Sequence, residues 1–290
     1  MKPLYTQHTT LPETYIKDCF NNFLNEDKVD LDLSTQFSVS QTTTTTAHLI
    51  SEEKLIFVGT PIINSIFKGC DINIIVKEGQ LCQAGTVIAH IHGSAQLILS
   101  YERIILNLIQ RLSGVASLTA QYVQKLNCSD IKILDTRKTT PGIRLFEKYA
   151  VTIGGGYNHR LDLYHGIMLK DNHLFLMNNL NKTLDKIKKS HPTTKIQIEI
   201  DYFEQLIKYI KSDTLVDAIL LDNMNRTDTI KCVQYIKETL PQCFIESSGG
   251  INLNNINNYV ETGIHAISIG ALTHQAVSKN IKLEFVEWKK

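Results

Sequence analysis

The segments IQIEID (Ile196–Asp201), AILLDN (Ala218–Asn223), FIESSGG (Phe244–Gly250) and AISIG (Ala266–Gly270) decide the fold. Each opens on a strand candidate (Ile196–Ile200, Ala218–Leu221, Phe244–Glu246, Ala266–Ile269) that is rich in apolar residues and bounded by polar or glycine residues, the pattern of a strand buried on both faces. They recur at intervals of about 20–25 residues, which leaves room for a crossover helix between successive strands and so specifies parallel pairing. Upstream, Ile131–Leu134 and Gly166–Leu169 read the same way. Helical patterns lie at Ile143–Ala150, Tyr202–Lys211, Arg226–Thr239 and Leu253–Glu261; for the first, Thr140 is the expected N-cap and Pro141 the first helical residue. Six such strands predict a barrel or partial barrel, with a doubly wound sheet as the alternative. Up to about residue 115 the chain reads differently, with a polar start, short apolar runs and a threonine run (Thr42–Thr46) that suits a strand or a loop.

In parallel α/β architectures the carboxyl ends of the strands gather on one face and form the site. Here those ends carry Asp135-Thr136-Arg137-Lys138, Lys170-Asp171-Asn172-His173, Glu199 with Asp201, Asp222-Asn223, Ser247-Ser248-Gly249-Gly250, and Ser268 with Gly270. Arg137, Lys138, Arg160 and Lys170, with His159 and His173, form a cationic set, and clustered cations in a concavity select an anion. Ser247–Ile251 followed by a helix, and Ser268-Ile269-Gly270-Ala271 on the next strand, have the composition of a paired phosphate cradle. Glu199 and Asp222 on neighbouring strands can hold magnesium or sugar hydroxyls, or stabilise positive charge on a ribosyl carbon; the plainer alternative is salt bridging to Lys170 or Arg137. The residues alone therefore reach phosphosugar or nucleotide chemistry on an anionic partner.

Composition sets the outer limits. The chain has 290 residues, 43% of them hydrophobic, and a formal net charge of +1, which supports a sizeable core and argues against nucleic-acid and membrane partners. Its six cysteines form no C-x-x-C pair, so they read as reduced thiols of a cytoplasmic protein. The first residues lack the apolar core of a signal peptide, and the most apolar stretch, Leu97–Ile109, is interrupted by Glu102 and Arg103.

The string Asp135-Thr136-Arg137-Lys138-Thr139-Thr140-Pro141-Gly142 resembles the DTRKTTPG signature of quinolinate phosphoribosyltransferases. Gly154–Leu161 (GGGYNHRL), Met168–His173 (MLKDNH), Glu199–Asp201, Leu221–Met224, Glu246–Ile251 and Ser268–Thr273 match in order, and Tyr101–Gly114 resembles the family's ER…LN…SG helix. The resemblance implies an N-terminal α/β sandwich (1–115) and a C-terminal irregular, open (β/α) barrel (116–290), with the last residues free to pack back on the N-terminal domain. It implies transfer of phosphoribosyl from phosphoribosyl pyrophosphate to quinolinate, with decarboxylation, on the route to NAD. It implies that Arg137, His159 and Arg160, with Lys138 and Arg103, bind the two carboxylates of quinolinate. Lys138, Lys170, Glu199 and Asp222 would be the catalytic set, contacting phosphoribosyl pyrophosphate and its Mg2+ through Glu199 and Asp222; Thr136 would also contact substrate. Ser248, Gly249, Gly250, Ser268, Gly270 and Ala271 would hold the 5′-phosphate. A homodimer in which Arg103 reaches the partner's site is implied, with a hexamer left open. The sequence departs from the family where a Gly-Asp-x-Thr element is usual: it reads Val29-Asp30-Leu31-Asp32-Leu33.

Three rival readings compete. A paralogue with another substrate, such as the relative associated with molybdenum uptake, would not need the full Arg137, Lys138, His159 and Arg160 set. A Schiff-base aldolase using Lys138 or Lys170 would leave the carboxylate pair and the phosphate turns without a role. Val76–Ala89 has the shape of a biotin- or lipoyl-carrier hammerhead, but it lacks a modifiable lysine in a tight turn and reads as a structural element.

Overall fold

The computed structural model describes residues 2–127 and 130–286, so Cys128 lies outside the described residues. The described strands are β1 (Thr44–Ser51), β2 (Leu55–Ile56), β3 (Asp71–Ile74), β4 (Leu81–Cys82), β5 (Val87–Ser94), β6 (Lys132–Leu134), β7 (Ile167–Leu169), β8 (Ile196–Ile200), β9 (Ala218–Asp222), β10 (Phe244–Ser248), β11 (Ala266–Ser268) and β12 (Ile281–Val286). The chain divides into two compact units, one of Met1–Gln7, Gln121–Thr139 and Gly156–Ala271, the other of His8–Ala120, Thr140–Gly155 and Leu272–Lys290.

The first unit is built on a parallel sheet in the order β6-β11-β10-β9-β8-β7. From β7 to β11 each strand lies beside its predecessor, so the winding never reverses. A doubly wound sheet requires a reversal, and its absence assigns the sheet to the barrel class. Among the described residues β6 and β7 do not pair with each other, so the barrel is open there. The strands are apolar because the crossover helices cover the outer face: Ile196, Ile198, Ile200, Ile219, Leu221, Ile245 and Ile267 are buried. Leu134, Ala218, Phe244 and Ala266, with Leu4 and Tyr157 packed against them, form an apolar floor.

Two sequence expectations about this unit need correction. Leu253–Glu261 is not an α-helix; only Ile256–Tyr259 forms a 3₁₀ turn. Asparagine is the cause, since its side chain competes for backbone hydrogen bonds. Asn255 Oδ1 accepts from Asn252 N at 2.8 Å, Asn252 Oδ1 from Asn254 N at 2.9 Å, and Asn255 Nδ2 donates to Gly250 O at 3.0 Å. The Ser-Ser-Gly-Gly turn is therefore not followed by the helix N-terminus expected of it. The helix Leu180–Ser190 was not foreseen; Asn179 caps it by accepting from Lys182 N at 2.9 Å.

The second unit carries an antiparallel sheet in the order β12-β1-β5-β3. The threonine run enters it as the start of β1, whose later residues alternate to bury Ala47, Leu49 and Ser51. The core joins this sheet to helices, with Phe20, Phe57, Ile63, Phe67, Ile98 and Ile105 in one cluster. Asp32, in the divergent VDLDL stretch, caps the helix Leu33–Ser38 by accepting from Thr35 N at 3.0 Å, and its other oxygen accepts from the Ser100 hydroxyl at 2.9 Å. The carrier-like segment serves the fold: the Glu78 carboxylate accepts from Thr60 N at 2.8 Å, from Gly59 N at 3.1 Å, and from the Tyr149 hydroxyl at 2.9 Å. Thr140 is not an N-cap. The turn at Pro141-Gly142, with Gly142 at φ 85°, delays the helix to Arg144–Ile153, and Thr140 N and Oγ1 instead donate to the fully buried Glu147 carboxylate at 2.9 and 2.8 Å. Arg111 completes that cluster at 2.8 Å from Glu147 and also donates to the carbonyls of Thr273 and Ala276. Among the described residues no helix is long and apolar enough to cross a membrane.

Two stability predictions follow from this packing. A Cβ on Gly114 would lie 2.2 Å from the Val277 carbonyl oxygen, whereas one on Gly69 would meet nothing within 4 Å. Gly114→Ala should therefore cost about 1–3 kcal/mol in chemical denaturation, and Gly69→Ala within about 0.5 kcal/mol. Arg111→Met leaves the Glu147 charge buried without its cation and should cost about 3–5 kcal/mol; a loss under about 1 kcal/mol would contradict this account of the cluster.

Candidate active site

Register in the first unit sets Glu199 beside Leu220, Leu220 beside Glu246, and Asp222 beside Ser248. Because side chains alternate along a strand, Gln197, Glu199 and Asp201 share the inner face of the sheet with Asp222, Glu246 and Ser248. Along these strands the inner layers run from the apolar floor, through a buried polar layer, to an acidic mouth.

At the mouth Glu199, Asp201 and Asp222 each offer an oxygen within 4.8 Å of the others. Burial, chiefly, holds the Glu199 and Asp222 carboxyls above the ordinary carboxylate range; the acids add to this by acting on one another, and Lys170 opposes it. Lys170 Nζ is 2.9 Å from Glu199 Oε2, so the plain ion pair foreseen as the alternative does form; the Lys138 charge also acts on Asp222. Hard carboxylate oxygens in this number suit a divalent cation such as Mg2+. Asp201 was read among the polar strand ends but given no role of its own, although its spacing of two from Glu199 puts it on the same face.

The cationic end is organised by Asp135. This fully buried carboxylate accepts from His159 N at 2.8 Å and from Asn158 Nδ2 at 2.7 Å, tying the end of β6 to the 158–160 loop. Thr136 Oγ1 accepts from Lys138 N at 3.0 Å and so shapes the turn that carries Arg137 and Lys138. The buried Arg137 Nε has no hydrogen-bond partner among the described residues. Arg160, buried, donates from Nη1 to Gly166 O at 2.7 Å; burial, with the Arg137 charge beside it, pulls its pKa below the ordinary guanidinium value. It stays cationic, since arginine does not deprotonate in proteins.

His159 is placed differently from the arginines. Its ring is buried, and its Nδ1 accepts from Arg160 N at 2.8 Å. A backbone N–H can only donate, so Nδ1 carries the lone pair and Nε2 carries the hydrogen. That hydrogen points to Gln197 Oε1 at 3.0 Å, with Glu246 Oε2 at 3.5 Å. Gln197 Nε2 donates to the same Glu246 oxygen at 2.8 Å. Gln197 and Glu246 were not expected as part of the site.

Beside the acids, at the end of the neighbouring strand, Gly249 (φ 88°) and Gly250 (φ 62°) take left-handed conformations. A Cβ on Gly249 would lie 2.3 Å from Asn223 Oδ1, so the turn requires glycine twice over, by conformation and by space. Asn223 interlocks the turn with the acids: its N–H donates to Ser248 O at 2.8 Å and its Nδ2 to Asp222 Oδ2 at 2.6 Å. Ser268 ends β11, and Gly270 and Ala271 follow at the start of the short helix Ala271–His274. Arg103 belongs to the other unit, exposed on the helix Ala95–Leu126, where it lines a cavity of about 450 Å³ with Phe23, Asn107, Arg111 and Thr140.

Residues 32–113 and 115–284 match the models of the N-terminal and C-terminal domains of quinolinate phosphoribosyl transferase. The chain is 40% identical over 274 residues to the probable nicotinate-nucleotide pyrophosphorylase (carboxylating) of Bacillus subtilis, covering 93% of each. It is 33% identical over 275 residues to the nicotinate-nucleotide pyrophosphorylase (carboxylating) of Mycobacterium leprae, covering 92% of this chain and 96% of that one. The solved nicotinate-nucleotide pyrophosphorylase of Francisella tularensis superposes with a TM-score of 0.87 at 30% identity, over 97% of this chain and 100% of that one. With both domain models matched in order and relatives aligned over nearly their full length, the chain belongs to the quinolinate phosphoribosyltransferase family.

Proposed function

We propose that the protein transfers the phosphoribosyl group of phosphoribosyl pyrophosphate to the nitrogen of quinolinate and releases CO2, giving nicotinate mononucleotide and pyrophosphate. The observation that carries this reading is the pairing, at one rim of one sheet, of an anion-seeking end (Arg137, Lys138, Arg160) with an acidic end (Glu199, Asp201, Asp222), beside a glycine turn. Arginine's planar fork suits the two carboxylates of quinolinate, and Lys138 adds a point charge. Thr136 orders their turn. His159, with both ring nitrogens engaged, contributes by fixing the backbone of Arg160. The turn at Ser248-Gly249-Gly250, with Ser268, Gly270 and Ala271, takes the 5′-phosphate.

Glu199, Asp201 and Asp222 would hold Mg2+, which when bound supplies positive charge to the pyrophosphate oxygens. Lys170, drawn from Glu199 toward the same oxygens, assists departure of the leaving group, while the carboxylates face the positive charge that develops on the anomeric carbon. Loss of the carboxylate next to the ring nitrogen then leaves an electron pair that the ring cation stabilises. No side chain forms a covalent bond to substrate, so positioning supplies the rate. The Lys170–Glu199 ion pair also disfavours the aldolase reading, which needs a neutral amine. The active species is a homodimer in which Arg103 completes the partner's quinolinate site.

The decisive measurement is release of pyrophosphate and CO2 from quinolinate plus phosphoribosyl pyrophosphate with Mg2+; equal use of nicotinate would refute the substrate assignment. Arg137→Ala should lower kcat/KM by at least about a hundredfold with an unchanged melting midpoint. Arg103→Ala should inactivate, and mixing it with Arg137→Ala should restore part of the activity; no recovery on mixing would sink the shared site. The raised pKa values of Glu199 and Asp222 fix a sign for pH: both acids must be ionised, so activity should fall as pH drops through a range above that of ordinary carboxylates. An acid limb at or below the ordinary carboxylate range would contradict this.

A further inference from the structure

Residues 2–7 belong to the first unit and run beside the 158–160 loop. Gln7 pairs with the backbone of Asn158 in both directions: Nε2 donates to Asn158 O at 3.1 Å, and Oε1 accepts from Asn158 N at 2.8 Å. It thus supplies the two-bond contact that a neighbouring strand would otherwise make. Tyr5 holds the next residue. Its ring lies 4.6 Å from the His159 ring, and its hydroxyl donates at 3.0 Å to Gln197 Oε1, the oxygen that also takes the Nε2 hydrogen of His159. The other flank of Tyr5 meets Gly166, where a Cβ would sit 2.7 Å from the Tyr5 ring; the carbonyl of Gly166 is the acceptor for the Arg160 guanidinium. Asn158, His159 and Gly166 are therefore all seated against Tyr5 or Gln7, and Arg160 hangs from the last two of these by its backbone and its side chain.

We infer that the N-terminal segment is a positioning element for the anion-binding end of the site, with Tyr5 and Gln7 setting where Arg160 presents its guanidinium and how firmly the Arg160 N–H sits on His159 Nδ1. This rests on the reading of Arg160 as a ligand of the quinolinate carboxylates. A purely structural role is the competing account, because Leu4 packs on the barrel floor. The two accounts differ in what they move. A floor plug affects stability and both substrates together; a positioning element affects the substrate that Arg160 meets.

The test uses the full chain with Tyr5→Phe, which keeps the ring and removes the hydroxyl, and Gln7→Met, which keeps the volume and removes both contacts to Asn158. A displacement well under 1 Å is enough to register in binding, so Gln7→Met should raise KM for quinolinate about tenfold, and Tyr5→Phe should raise it by a smaller factor. KM for phosphoribosyl pyrophosphate should stay within about twofold, because the acid and glycine-turn contacts are unaltered. Gln7→Glu, which keeps only the acceptor for Asn158 N–H, should fall between the wild type and Gln7→Met. Equal movement of both KM values, or movement of neither, overturns the inference. If the wild type fails to turn over quinolinate, the functional reading falls, and 15N NMR of the His159 ring decides the inference on its own. A His159 Nδ1 signal that shifts in the variants, reporting a loosened Arg160 N–H···Nδ1 bond, supports it; identical ring signals in the wild type and every variant overturn it.

Discussion

Winding in one direction is the constraint on which the catalytic unit depends. When β7 to β11 follow one another without reversal, every crossover helix falls on the same side, and the inner face is left to side chains alone. Every strand also ends at the same rim. Residues distant in sequence, from Asp135 to Gly270, gather there because they lie at or just past the carboxyl ends of the strands. The price of that convergence is electrostatic: cations and acids are crowded into partly desolvated space, and the acids are held above their ordinary pKa range. In the proposed reaction the substrates relieve both strains, since carboxylates and phosphates answer the arginines and a metal answers the acids.

Beneath the rim the polar layer shows how the chain keeps those charges in place. Asp135 takes two donors from one loop, Gln197 takes two donors and gives one, and Glu246 takes the last. A buried network of this kind is worth having only when nearly every member is satisfied. Here the unmatched atoms, Arg137 Nε, Glu246 Oε1 and Ser247 Oγ, are buried without partners among the described residues. In the proposed reaction Arg137 Nε is the one that a substrate carboxylate would complete.

The sequence disclosed the barrel through period and composition, since doubly buried parallel strands must be continuous apolar runs, and all six were read within two residues of their ends. It disclosed the charged rim because strand ends are marked by the first polar residue. It was silent where side-chain competition decides. The run from Leu253 to Glu261 has helical periodicity, but its asparagines bind their own backbone instead, and Thr140 turned from the expected cap to the buried Glu147. Gln197, and the part that Glu246 plays with it, went unread for another reason: a single polar residue inside an apolar strand looks like an interruption until the register shows several facing one another. Tyr5 and Gln7 gave no signal, because their partners lie some 150 residues or more away in the chain.

The Lys170–Glu199 pair shows why neither the charge pattern nor the fold alone suffices to read this rim. Lys170 is half exposed and Glu199 mostly covered, so their attraction is screened on one side only. In the proposed reaction a polyanion would offer Lys170 more oxygens than Glu199 does, and opening the pair would leave the Glu199 carboxylate beside Asp201 and Asp222 to hold a divalent cation. On that reading an ion pair that looks like a structural contact is the resting form of a site whose two halves would separate, one toward the phosphates and one toward the metal.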